Sequence, residues 1–175
     1  IYDAMYLAGI IADPNIMTEE DYERWIDRAY FYMLSDFVVA VTLSESSIAQ
    51  DVADKWIASG DELKMSAGWS CYCWLIGNRK DSEFSKIKLS NMLDYARINI
   101  HESPERTKNS MNYFVYTVGL SYITLHDKAL EVAREIGDVE IKRENKKSII
   151  VNAYESIQKD VEKGRIGFKR KYVRC

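Results

Sequence analysis

One carboxylate stands in the most aromatic stretch of this sequence. Asp36 is surrounded by large apolar side chains: Tyr30, Phe31, Tyr32, Met33, Leu34, Phe37, Val38 and Val39. An acid beside aromatic rings can stabilise a developing positive charge, because carboxylates and ring faces both attract cations. The structural alternative is that Asp36 caps a helix or pairs with Arg28. The residue types therefore support two hypotheses, a cation-stabilising site and a structural acid.

A second polar group begins at Arg106. Arg106 and Lys108 stand near a predicted helix start, where cations and free backbone N–H groups can bind phosphate. An ordinary polar first turn is the alternative. Aromatic residues at helical spacing are either core residues or a surface for base stacking: Trp69, Tyr72, Trp74 and Tyr113.

The end of the chain is basic. Residues 163–175 contain six basic side chains and no acid: Lys163, Arg165, Lys169, Arg170, Lys171 and Arg174. The whole chain has a net charge of −3, so the remaining residues carry −9. A basic end on an acidic body indicates a polyanionic partner, whereas the alternative is a poorly ordered, solubilising tail.

Composition excludes several classes of protein. Of 175 residues, 47% are hydrophobic and 29% charged, which is typical of a folded globular domain. No apolar run reaches the roughly 18 residues that a bilayer span needs, and we recognise no secretory leader. The odd set Cys71, Cys73 and Cys175 favours reduced thiols and a cytoplasmic protein. Because His101 and His126 lack neighbouring ligands, we expect no metal site and no cofactor.

All of these candidate groups are predicted to lie on or beside helices. Apolar periodicity predicts about eight, joined in pairs by short turns. Residues 138–151 predict a loop or a short hairpin. Predicted helix ends include four N-caps and one C-terminal glycine: Thr18, Ser35, Ser103, Thr124 and Gly137.

The repeat of helix pairs determines the predicted architecture. A step of about 40 residues matches armadillo and HEAT repeats, so we predict an all-α, HEAT/armadillo-like α-α superhelix of antiparallel helix pairs. An irregular helical bundle is the alternative. We expect one domain at 1–162, N-terminally incomplete because Ile1 stands inside a helical pattern, followed by a basic tail at 163–175.

Four segments, in this order, resemble the DNA alkylation repair enzyme family: SAGW at 66–69, MN-x-FV-x-x-VG at 111–119, KA-x-x-VA-x-x-IG-x-VE at 128–140 and GRIG-x-KRK at 164–171. The resemblance implies a HEAT-like solenoid. Better-known members of the family excise cationic N-alkylated purines from DNA, on a basic concave face that carries aromatic side chains and an Asp. In that chemistry the rings attract the cation, and the Asp stabilises an oxocarbenium-like sugar.

The resemblance also implies roles for single residues. The Trp-x-x-x-Asp element of the family matches Tyr32-x-x-x-Asp36, and a second Trp corresponds to Tyr113. An Arg that active members use falls near Ser66, where this chain has no cation. The implied catalytic residues are thus Asp36, Tyr32 and Tyr113. The expected DNA-binding residues are Arg106, Lys108, Arg165, Lys169, Arg170 and Lys171.

Two functions follow. In the first, the chain is a DNA-binding repair protein whose cations converge on one concave face and contact double-stranded DNA. Excision of alkylated purines by hydrolysis of the N-glycosidic bond is a hypothesis within this function. In the second, the chain is a non-catalytic scaffold that binds a protein or peptide on its concave face, with Asp36 buried in a cap. Whether the chain is an enzyme stays open at this point.

Overall fold

A computed structural model describes residues 2–174 of the chain. Ile1 and Cys175, which bound the predicted domain and tail, lie outside the described residues. The helices are α1 (Tyr2–Ile11), α2 (Glu19–Ile26), α3 (Tyr32–Leu34), α4 (Ala40–Ser44), α5 (Ala49–Ile57), α6 (Glu62–Asn78), α7 (Lys86–Asn99), α8 (Glu105–Ser121), α9 (His126–Ile136) and α10 (Ala153–Glu162). The strands are β1 (Val139–Arg143) and β2 (Lys146–Val151).

The helices pack mainly on α6 and α8, which also pack on each other. Helix α6 contacts α4 and α5, and α8 contacts α9 and α10. Helix α7 packs on α9 and α8. Neighbouring helices along the chain thus pack together in several places, as a fold built of helix pairs requires.

Helix α6 is the centre of this packing. Twelve of its residues are buried, which explains why its sequence is apolar on every face. At Gly68 the neighbouring helix comes very close: a Cβ atom there would lie 2.7 Å from the carbonyl oxygen of Ala53 and 2.8 Å from Cγ1 of Ile57. Glycine therefore permits the close approach of α5 to α6.

Two of the predicted helix ends are confirmed. The Thr18 hydroxyl accepts the Asp21 N–H, and the Asp21 carboxylate accepts the Thr18 N–H, which forms a capping box. Gly137 ends α9 with a φ of +64°, a conformation that residues with a side chain rarely adopt.

Three predicted N-caps were wrong. Ser35 lies inside a π-helical turn, Ser35–Val39, that joins α3 to α4. The Ser103 hydroxyl donates to the carbonyl of Asn99, at the end of the preceding helix, and Pro104 is the residue before α8. Thr124 lies within a 3₁₀ turn, Ile123–Leu125, and α9 begins after that turn, at His126. Local hydrogen bonds to the preceding turn compete with capping for short polar side chains.

Residues 138–151 were predicted to form a loop or a short hairpin, and the structure has the hairpin. Strands β1 and β2 pair antiparallel, with Val139 opposite Val151 and Ile141 opposite Ile149. Val139 and Ile141 are buried against α8, while the residues between and after them are exposed. Asn145 has a φ of 54° at the turn. The fold is thus mostly helical with one small sheet, and the all-α description is approximate.

The basic end of the chain packs on the helices between residues 163 and 174. The Gly167 N–H donates to the carbonyl of Leu120, and the Arg170 N–H donates to the carbonyl of Gly77. The Lys169 ammonium donates to the carbonyl of Ile76. These carbonyls lie at the C-terminal ends of α6 and α8, where the helix dipole attracts cations. The alternative of a poorly ordered tail was therefore wrong for the described residues.

None of the helices in residues 2–174 combines the length and the apolarity that crossing a membrane would require.

Candidate functional site

Asp36 lies in the π-helical turn and is almost completely buried, with 1% of its surface exposed. Its Oδ2 atom accepts hydrogen bonds from Nε of Arg106 at 2.7 Å and Nη2 of Arg106 at 2.6 Å. The hydroxyl of Ser66 lies 3.0 and 2.9 Å from the two carboxylate oxygens, and the hydroxyl of Ser35 donates to Oδ1 at 2.8 Å. We call Asp36, Arg106, Ser35 and Ser66 the Asp36 cluster. Both of its carboxylate oxygens are satisfied within the protein.

The packing of helix starts brings these residues together. Arg106 lies in the first turn of α8, seventy positions after Asp36 in the sequence. Its backbone N–H donates to Oε1 of Glu62 at 2.8 Å, and the Thr107 hydroxyl donates to the carbonyl of Glu62. The start of α8 is thereby docked on the start of α6, from which Ser66 projects.

Two opposing effects act on the Asp36 carboxyl. Burial is the larger and raises its pKa, because the charged form loses contact with water. The positive charge of Arg106 and the hydrogen bonds from Ser35, Arg106 and Ser66 oppose that rise. An acid in this position is held by its partners and has no free oxygen to offer to a ligand.

The ring of Tyr32 packs against the Asp36 cluster. The guanidinium carbon of Arg106 lies 4.2 Å from the centre of the Tyr32 ring, a cation–π contact. Arg106 therefore contacts both the acid and the ring that the family resemblance implies for excision. Asp36 is not a helix cap, and its partner is Arg106 rather than Arg28. The sequence places no cation beside Ser66, yet the fold brings the Arg106 guanidinium there.

Tyr113 belongs to a different cluster. Its ring stacks on Tyr116 with the ring centres 5.4 Å apart, and its hydroxyl accepts a hydrogen bond from Nη2 of Arg170 at 3.3 Å. Partial burial raises the pKa of Tyr113, although 43% of its surface is exposed. Arg170 also lies over Trp74, 4.7 Å from the ring centre. Within residues 2–174 we find no contact of Tyr113 with Asp36 or Tyr32.

Most of the predicted DNA-binding cations have acidic partners. Lys108 pairs with Glu105 at 2.8 Å and is 13% exposed. Arg165 pairs with Asp160 at 3.3 Å, and Lys169 pairs with Asp81 at 2.7 Å. Arg170 and Lys171 form no ion pair with an acid in the described part of the chain. The predicted set is thus divided into neutralised cations and cations that face solvent.

Sequence reasoning missed a second group of exposed cations, on the hairpin. They lie between residues 142 and 147, are exposed, and form no ion pair within the described residues: Lys142, Arg143, Lys146 and Lys147. The hairpin is fixed to α8 because the Lys142 N–H donates to Oε2 of Glu105 at 2.5 Å. The available signal was four basic residues in six positions, a polar run that also fits the loop or short hairpin predicted for residues 138–151.

Other kinds of site lack support. The aromatic residues Trp69 and Tyr72 are buried in the core, 1% and 0% exposed. No group of three or more potential metal ligands occurs among the described residues. The rings of His101 and His126 lie 3.1 and 2.6 Å from the backbone carbonyls of Ile136 and Gly119.

Comparison with known proteins agrees with this architecture. The model of a family described as "DNA alkylation repair enzyme" matches residues 1–157. An uncharacterized protein of Listeria monocytogenes is 30% identical over 158 residues, covering 90% of this chain and 67% of the relative. An uncharacterized protein of Listeria innocua is 33% identical over 141 residues, covering 79% of this chain and 59% of the relative. The chain thus spans only part of the curated relatives it matches.

A solved structure is much more similar. It is 71% identical, with a TM-score of 0.96, and the match covers 99% of this chain and 74% of the other. That structure is described as "a new family of proteins related to the HEAT-like repeat DNA glycosylases with affinity for branched DNA structures".

Proposed function

We propose that this chain, which belongs to the DNA alkylation repair enzyme family, binds DNA and does not use Asp36 to excise a cationic purine. The position of Arg106 is the observation that carries this proposal. Its guanidinium already contacts the carboxylate of Asp36 and the ring of Tyr32. Excision of a cationic purine would need both of these groups to be free.

Excision by Asp36 and Tyr32 would require the Arg106 side chain to break its contacts with both residues. The contacts of Arg106 with Oδ2 of Asp36 are 2.7 and 2.6 Å long, and the acid is buried. Charge-assisted hydrogen bonds at this distance are among the stronger polar contacts in proteins. A guanidinium also repels a second cation, so a positively charged base gains nothing from approaching the cluster.

The exposed cations supply the DNA-binding half of the proposal. Lys142, Arg143, Lys146 and Lys147 on the hairpin face solvent, as do Arg170 and Lys171 near the end of the chain. Cations without acidic partners can contact phosphates, and contacts of that kind make binding salt-dependent. The relative that is 71% identical is described as having affinity for branched DNA, and we extend that property to this chain.

Fluorescence anisotropy with two DNA molecules tests this function. The wild-type protein is titrated into a flush duplex and into a four-way junction of equal length, each at about 50 and 200 mM salt. We expect binding to the junction that weakens steeply at the higher salt concentration, because counterions compete for the phosphates. Absence of binding to either DNA at the lower salt concentration would overturn the proposal.

A second candidate function is the protein or peptide scaffold. An apolar groove of about 540 Å³ between α1 and the helices that follow it favours this function, and Met5, Ala8, Trp25, Leu34 and Val38 contribute to its lining. The scaffold alone predicts no affinity for DNA at any salt concentration. The same titration therefore separates the two functions.

A further inference from the structure

We propose that the ring of Phe37 is a stacking site for unpaired bases at the branch point of DNA. This inference rests on the proposed DNA binding and assigns the Phe37 ring to one part of the DNA, the unpaired bases.

Phe37 is exposed although its neighbours in the π-helical turn are buried. Its exposed fraction is 43%, against 1% for Asp36 and 5% for Val38. The N–H of Ala40 bonds to the carbonyl of Ser35, so this turn is wider than an α-helical turn. Single π turns inside helices occur frequently at functional sites. Here the turn directs Asp36 into the protein and the Phe37 ring toward solvent.

Two aromatic rings flank Phe37, and 43% of its surface stays exposed beside them. The ring centre of Tyr32 lies 6.5 Å away at an interplanar angle of 70°, and that of Trp74 lies 6.2 Å away at 79°. Both neighbours meet Phe37 edge to face rather than in a parallel stack. The position of Trp74 is fixed because its indole N–H donates to the backbone carbonyl of Asp36 at 3.1 Å.

Two guanidinium groups border this aromatic row. Arg106 covers the ring of Tyr32 at 4.2 Å, and Arg170 covers the ring of Trp74 at 4.7 Å. Phe37 lies between these two covered rings and carries no cation itself. Arg106 is neutralised by Asp36, whereas Arg170 forms no ion pair with an acid in the described residues and can contact a phosphate. An exposed ring beside such a cation is a combination with which proteins bind single-stranded nucleic acid, since a base stacks on the ring and a phosphate contacts the cation.

The ring geometry selects unpaired bases. Neighbouring ring centres in this row are 6.2 and 6.5 Å apart, nearly twice the rise of about 3.4 Å per base in duplex DNA. The ring planes are also nearly perpendicular, so no continuous stack of bases can follow them. A base reaches the face of Phe37 only after leaving its own stack, which is easiest where it has no pairing partner. A branch point that contains unpaired nucleotides supplies such bases, whereas the interior of a flush duplex does not.

The experiment compares Phe37→Ala, Phe37→Trp and the control Ile87→Ala, whose side chain is 75% exposed on α7. Each variant is titrated into a flush duplex and into a three-way junction that carries 2-aminopurine at an unpaired position. Phe37→Ala should weaken junction binding by about 5- to 150-fold, the range expected for one stacked base, and leave duplex binding unchanged. Phe37→Trp and Ile87→Ala should bind as the wild type does. Wild-type binding should change the 2-aminopurine fluorescence, and Phe37→Ala should abolish that change.

The outcomes separate this inference from the proposed function. If the wild-type protein binds neither DNA, both fail. If it binds DNA but Phe37→Ala loses no affinity, or loses the same factor on both DNA molecules, the stacking site is wrong and DNA binding stands. Thermal unfolding of each variant checks that an exposed substitution has left the fold intact.

Discussion

The Asp36 cluster and the hairpin at residues 139–151 both contain charged side chains. Those of the cluster are bound by partners within the protein, whereas those of the hairpin are exposed to solvent. In the Asp36 cluster the buried acid is bound by a guanidinium and two hydroxyls. On the hairpin, Lys146 and Lys147 are exposed and form no ion pair within the described residues. The comparison shows that tertiary neighbours decide whether a charged side chain is free to contact a ligand. In our proposal the Asp36 cluster is therefore a structural contact, and the hairpin cations contact DNA.

Removing Arg106 from its ion pair with Asp36 should give the largest loss of stability. Arg106→Ala leaves the Asp36 carboxylate buried without a cation, so we expect the free energy of unfolding to fall by about 3 kcal/mol. Asp36→Asn should cost less, about 1–2 kcal/mol, because the side chain of Arg106 is 23% exposed and can turn toward water. Unfolding in urea measures both values.

The matched control is an exposed ion pair. Lys55 and Glu19 are paired at 2.5 Å, with side chains 59% and 44% exposed. Lys55→Ala should change the free energy of unfolding by less than about 1 kcal/mol. A loss in Arg106→Ala no larger than that of Lys55→Ala would show that the Asp36 cluster does not stabilise the fold.

Substitutions in the closely packed helix α6 should give the next largest change in stability. Gly68→Ala places a methyl group against the backbone of α5, and we expect a loss of about 1–3 kcal/mol. Gly77 lies in the same helix, and a Cβ atom there would meet nothing within 4 Å. Gly77→Ala should instead stabilise the protein by up to about 1 kcal/mol. Equal effects of the two substitutions in thermal unfolding would contradict this packing.

On the hairpin, neutralising cations should change binding and leave stability unaltered. The double variant Lys146→Ala and Lys147→Ala should weaken DNA binding and reduce the slope of log K against log salt by about 1 for each lost phosphate contact. Lys86→Ala, an exposed lysine on α7, serves as the control and should leave the slope unchanged. Unaltered binding by the double variant would remove the hairpin from the proposed interface.

The smallest effect concerns the attachment of the basic end to α10. The hydrogen bond from Tyr116, followed by that from Lys163, lowers the pKa of Asp160 below its usual value of 3.8. A lowered pKa means that the stabilisation is present above pH 3.8 and disappears as the pH falls through the lower folded value. Asp160→Asn should therefore reduce the unfolding temperature slightly at pH 7, and the difference should vanish in acid. A difference that persists at low pH would exclude this cause.

Sequence reasoning predicted the elements better than the contacts between them. The Thr18 capping box, the glycine at 137 and the hairpin each depend on a few neighbouring residues, and all three were predictable. Contact between Asp36 and Arg106 joins positions seventy apart and depends on how α8 docks on α6. No local pattern encodes that docking, so the acid could be recognised as unusual while its partner could not.

The same limit applies to the predicted cations. Lys108, Arg165 and Lys169 have the residue types that DNA binding requires, but Glu105, Asp160 and Asp81 neutralise them in the fold. The Glu105 and Asp160 partners lie within five residues, so spacing could have shown those pairs, whereas Asp81 is distant in sequence.

Whether Asp36 excises a cationic purine is measured by the release of methylated purine from DNA that the protein has saturated. The wild-type protein is added to methylated DNA above the concentration at which anisotropy shows full binding, and free 3-methyladenine and 7-methylguanine are quantified over time. We expect full binding with no release above that of the DNA alone. Release by the wild-type protein that disappears in Asp36→Asn would contradict it, because the acid would then be catalytic despite its partner Arg106.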